Sequence, residues 1–146
     1  MIHQIIFAFI ATYCFGILFN IKTRKLLFTS LAGAIGWATF LLTQRLGESE
    51  TMAYFFAAIS LSVFSEIGAR YLKTPVTSIL ICGLIPLVPG GGMYYTMYHV
   101  IQNDSTASFT RGIATLSAAG ALAMGIVFTT SMVKAIRNFE RDMKKS

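Results

Sequence analysis

Charge is what this sequence has least of. Only 12% of its 146 residues are Asp, Glu, Lys or Arg. A water-soluble domain carries about 25% charged residues. A chain with half that cannot cover a water-facing surface, which excludes a soluble enzyme, a disordered tail and a coiled coil. Cysteine is scarce too. Cys14 and Cys82 are the two present, and each lies inside an apolar run. That excludes a disulfide framework and the ligand spacings of zinc sites. No nucleophile–base pair, paired carboxylate or phosphate-binding loop is visible, and Gly90-Gly91-Gly92 lacks the lysine and spacing of a P-loop. The chain therefore reads as no enzyme, with no catalytic residue, no metal and no cofactor. The net charge of +6 points to no nucleic acid, because the positive residues sit at the ends of apolar runs and form no patch on a polar domain.

What is present is apolar. Hydrophobic residues make up 55% of the chain, and the mean hydropathy is +0.65. Spanning a bilayer takes about 20 mostly apolar residues. Five runs qualify: 2–21, 26–42, 52–69, 75–101 and 112–135. The first follows no positive n-region, so it reads as a span rather than a cleaved signal peptide. The expected fold is all-α: a polytopic membrane helical bundle of five spans in a single domain, 1–146. Positive-inside counting orients it. With the N-terminus outside, ten Lys and Arg residues fall in cytoplasmic segments, and Arg45 and Arg111 fall outside. The tail 136–146 continues the last span as a basic, amphipathic helix on the cytoplasmic side, suited to anionic lipid or a protein partner.

The fourth run carries the chemistry. Its 27 residues, Pro75 to Ile101, are interrupted by Pro86-Leu87-Val88-Pro89-Gly90-Gly91-Gly92. Two prolines and three consecutive glycines disturb a helix. Pro86 lies roughly 16 Å along the run, near the middle of a core about 30 Å thick. The expectation is a discontinuous span, unwound over Pro86–Gly92, with glycines in unusual backbone angles. Freed amides and the N-terminus of the second half-helix favour a carboxylate there. The competing reading ends the helix at Val88 and lays an interfacial helix over the outer surface.

The string Pro86 to Tyr95, preceded by Glu66-Ile67-Gly68-Ala69-Arg70-Tyr71-Leu72-Lys73-Thr74-Pro75, resembles the threonine/serine exporter family. More closely it is similar to the small subunit that matches the second transmembrane half of single-chain members. Asn20 to Leu26 followed by Gly33-Ala34-Ile35-Gly36-Trp37 fits the same pattern. The resemblance implies a secondary exporter of small amino acids or small carboxylates in a bacterial inner membrane. It also implies a larger partner subunit with the other spans and a cytoplasmic portion, and no transport by this chain alone. Two other classes stay open: an accessory assembly subunit that does not line the path, and a homo-oligomeric channel.

Within that reading, the substrate-binding candidates are Pro86, Pro89, Gly90, Gly91, Gly92, Tyr94 and Tyr95. The tyrosines, with Tyr98 and His99, equally suit an aromatic belt at the headgroups. Glu66, the one acid inside a span, is the candidate for coupling to protons. Arg70 at i+4 offers it a plain helix pair instead. Ala32, Gly33 and Gly36, and Ser117, Ala121 and Gly125, read as small-residue packing faces.

Overall fold

The computed structural model describes residues 1–143. Helices form wherever the apolar runs lie: α1 (Ile2–Leu18), α2 (Thr23–Arg45), α3 (Glu50–Leu72), α4 (Val76–Leu84), α5 (Gly90–Ile101) and α6 (Ser105–Met143). A single 3₁₀ turn, Ile85–Leu87, extends α4. Among the described residues there is no strand.

The helices stop where the sequence supplies a residue for the left-handed region. Asn20 follows α1 at φ 56° and Asn103 follows α5 at φ 58°. Asparagine tolerates that region because its short side chain bonds locally. Gly47 does the same after α2 at φ 85°. Lys73 ends α3 at φ 47°, where Pro75 blocks any continuation through Thr74. The starts of α3 and α6 are capped by side chains. Ser49 Oγ accepts from Met52 N–H at 3.3 Å, and an Asp104 carboxylate oxygen accepts from Ala107 N–H at 3.0 Å.

Close approaches set the packing. Thr12 of α1 lies against Gly33 of α2, and Leu26 against Gly16, so these helices run antiparallel. Phe28 of α2 fills the space beside Gly68 and stacks on Phe64 of α3 at 4.5 Å. Nearer the other end Phe40 meets Tyr54 at 4.6 Å. α6 packs along α3 in the same direction, with Gly125 beside Ala58 and Val133 and Ile136 beside Glu66 and Arg70. α4 sits against α2, α3 and α1, whereas α5 leans mainly on α6. The core is built of Ala53, Ala57, Ala58, Leu61, Ile79 and Leu87. Buried hydroxyls at Thr12, Ser30, Ser65 and Thr129 donate to the carbonyl four residues earlier. That is how a polar side chain is satisfied where no water reaches it.

Large apolar side chains face outward: Ile6, Phe7, Leu31, Leu42, Ile67, Met124 and Phe128 are exposed. Small residues inside and apolar ones outside are what a lipid solvent asks for. α2, α3 and α6 are each long and apolar enough to cross a membrane, and α4 with α5 makes a fourth if the bent pair is one span. α1, at 17 residues, is a shorter apolar helix. α2, α3 and α6 extend beyond their apolar runs at both ends, and α6 alone covers 39 residues, roughly 58 Å. The basic tail is therefore no separate element: it continues α6 to Met143, and Lys144 and Lys145 lie outside the described residues. Of the small-residue face on α6, Gly125 is buried, Ala121 half-buried and Ser117 exposed, while Ala118, Leu122 and Thr129 complete the buried side of the helix.

Candidate functional site

The break between α4 and α5 is shorter than the sequence suggests. Pro86 lies within the 3₁₀ turn, which it can enter because the missing N–H is no loss at a first-turn position. Pro89 forces Val88 into extended backbone, ψ 128°. Pro89 itself, at φ −74° and ψ 55°, makes an inverse γ-turn in which Gly90 N–H donates to Val88 C=O at 2.7 Å. Gly90, Gly91 and Gly92 are then the first turn of α5, and none has positive φ. The expectation of unwound glycines in unusual angles is corrected: only Val88 and Pro89 leave the helix, and the two segments meet at 45°. A first helical turn tolerates glycine because its amides have no intrahelical acceptor in any case.

The glycines matter for space. A Cβ at Gly90 or Gly91 would meet nothing within 4 Å, whereas one at Gly92 would collide with the Thr115 side chain. Gly92 thus lets α5 lie against α6. The contact is tied by Ser108 Oγ of α6, which donates to Thr96 C=O of α5 at 3.1 Å, while Thr96 Oγ1 donates within α5 to Gly92 C=O at 2.7 Å. Gly92→Ala is expected to lower the melting temperature of the purified protein by several degrees, for an overpacking cost of about 1–3 kcal/mol. Gly90→Ala, facing open space, is expected to leave it within a degree or two.

The bend opens a cavity of about 450 Å³. Pro86, Pro89, Gly90, Gly91, Gly92 and Tyr95 all line it. Leu87, between the lining residues Pro86 and Val88, packs at mid-bundle: a Cβ at Gly36 would lie 3.0 Å from Leu87 Cδ1 and 3.4 Å from Leu61 Cβ. Gly36 and Leu61 are close to the middle of α2 and α3. Gly90 and Met93 amides bond to Val88 and Pro89 carbonyls, and the intervening Gly91 and Gly92 amides have no acceptor among the described residues.

Two predicted site residues lie elsewhere. Tyr94 does not line the cavity; it packs on Tyr95 and Tyr98, with ring centroids 5.3 and 6.4 Å away. Glu66 borders a separate cleft of about 220 Å³ with Arg70, Val133 and Ile136. It sits three helical turns beyond the cavity residue Tyr54 along α3, roughly 18 Å. Sequence reasoning missed the far wall of the cavity. Trp37 of α2, Glu50 and Tyr54 of α3, and Arg111, Thr115 and Ala118 of α6 complete it. Glu50 and Tyr54, and Arg111, Thr115 and Ala118, recur at helical spacing, but nothing in the sequence alone joins those two faces.

A family model described as Threonine/Serine exporter matches residues 4–132. The chain belongs to the threonine/serine exporter family. That family is one of transporters rather than enzymes, and the long apolar helices of the chain agree with a membrane protein. An uncharacterized protein of Haemophilus influenzae is 25% identical over 103 residues, which cover 70% of this chain and 34% of that protein. The chain thus spans about a third of the length of the curated relative it matches. No solved structure matches it.

Proposed function

We propose that this chain is one membrane subunit of a secondary exporter of small amino acids (threonine or serine) or small carboxylates. In this reading it has five spans in a bacterial inner membrane, N-terminus out and C-terminus in. α1 is the first span, and α4 with α5 forms the broken fourth. A larger partner subunit supplies the remaining spans and a cytoplasmic portion, a division that the roughly twofold greater length of the relative supports.

The observation that carries the reading is the cavity at the break. Six residues singled out for substrate contact share it, and its volume is in the range of small-molecule sites. Unpaired first-turn amides and the positive end of the α5 dipole favour a carboxylate at Gly91 and Gly92. The prolines hold the bend, and the missing Cβ atoms at Gly90 and Gly91 keep the floor open. Alternating access would rock α5 and the outer part of α6 against α2 and α3 about Val88 and Pro89.

Efflux tests it. Cells loaded with labelled serine, threonine and small dicarboxylates are timed with this chain alone, the larger partner alone, both, and both with the proton gradient collapsed. Gradient-dependent efflux only with both chains is expected. Efflux from this chain alone would favour a self-sufficient oligomer instead.

Glu66, half-buried and beside Arg70, is the proposed coupling group. Since it lies far from the cavity, coupling passes through movement of α3 against α6 rather than through contact with substrate. Glu66→Gln is expected to abolish the response of efflux to the proton gradient while leaving the complex assembled. Lower stability with intact coupling would make Glu66 and Arg70 a structural pair.

A further inference from the structure

The cavity holds two formal charges of opposite sign, and neither belongs to the Pro/Gly break. Glu50 stands in the first turn of α3 and Arg111 in the second turn of α6. Both side chains are exposed, so they stand at the mouth of the cavity, with buried Tyr54 and Ala118 at its inner end. Apart from Tyr54 and Tyr95, they are its titratable groups.

We propose that Glu50 and Arg111 are specificity-determining residues of this cavity, which select a small zwitterion over a dianion. This rests on the cavity's being the substrate site. One carboxylate of the ligand meets Arg111 or the free amides of Gly91 and Gly92, because these are the cavity's cationic and N–H donor groups. An ammonium group meets Glu50. A second carboxylate in place of the ammonium meets Glu50 as a like charge, and like-charge juxtaposition is how a site rejects a wrong partner. The choice between small amino acids and small dicarboxylates thus falls to two residues 61 positions apart, brought together by parallel packing of α3 and α6.

The test uses the complex with the larger partner in proteoliposomes, with labelled serine as the transported probe and succinate as competitor. Glu50→Gln is expected to raise the KM for serine about tenfold at similar kcat and to make succinate a stronger inhibitor. Arg111→Gln is expected to weaken serine and succinate together. Unchanged serine KM and succinate inhibition in both charge variants, while Gly91→Val still blocks transport, would overturn this inference and leave the site intact. If Gly91→Val transports normally as well, the site and the inference both fall.

Discussion

Gly91→Val is expected to lower export at least tenfold without disturbing the fold. Nothing lies within 4 Å of a Cβ at Gly91, so the protein accommodates the side chain; what fills is the cavity. A branched side chain there covers the free amides of Gly91 and Gly92 and takes the volume a small ligand would occupy. Valine is a better helix former than the glycine it replaces, so helix propensity adds no cost. Unchanged melting of the purified complex, together with an initial efflux rate cut by an order of magnitude, is the expected pair of results. A matching loss of protein in the membrane would instead mean that Gly91 is a packing position. Gly92 provides the comparison inside the same turn: its substitution strikes Thr115 and is expected to act through stability first.

Gly125→Val is expected to be the most destabilising single change in the chain. A Cβ at Gly125 would lie 2.7 Å from the Phe55 carbonyl oxygen and 2.7 Å from Ala58 Cβ. The first obstacle is backbone, which cannot swing aside, so α6 must separate from α3 along the seam Ala118, Leu122, Gly125 and Thr129. Overpacking a seam costs about 1–3 kcal/mol when side chains can adjust, and more when they cannot. Because α3 and α6 also form facing walls of the cavity, transport falls with stability. Gly120→Val is the control, with open space around it on the same helix. Thermal scans of the purified proteins should show a drop of ten degrees or more for Gly125→Val and little for Gly120→Val.

Much of the fold is legible in the sequence because a membrane chain has few ways to satisfy its backbone. Apolar runs separated by Asn20, Gly47, Thr74-Pro75 and Asn103 yield helices with these ends, since those residues stop a helix for local reasons. The interruption between Pro86 and Gly92 is legible as well, but its form is not. Three glycines weaken a helix interior, yet at a helix start their amides would be free anyway, so α5 begins on them. Ser117 shows a similar limit. Small size marks it as a packing residue, and only the register of α6 against α3 moves the buried face to Ala118. The cavity was half legible. Pro86, Pro89, Gly90, Gly91, Gly92 and Tyr95 form a local string, so one feature identifies all of them. Glu50 and Arg111 look like ordinary charges flanking loops, and Trp37 looks like one more apolar residue. Only the tertiary arrangement sets them around the same space.

The central claim is that substrate occupies the cavity at the α4–α5 break. Its most direct test is substrate protection of a single thiol at Gly91. Cys14 and Cys82 are replaced by serine and alanine, Gly91→Cys is introduced, and the complex with the larger partner is shown to export. Labelling by a small thiol reagent is then timed against increasing serine, threonine and succinate. Protection that saturates at the same concentrations as transport, and that is absent for a thiol placed at exposed Gly120, is the predicted result. A labelling rate at Gly91→Cys that no transported substrate slows, in a complex still exporting that substrate, would contradict it.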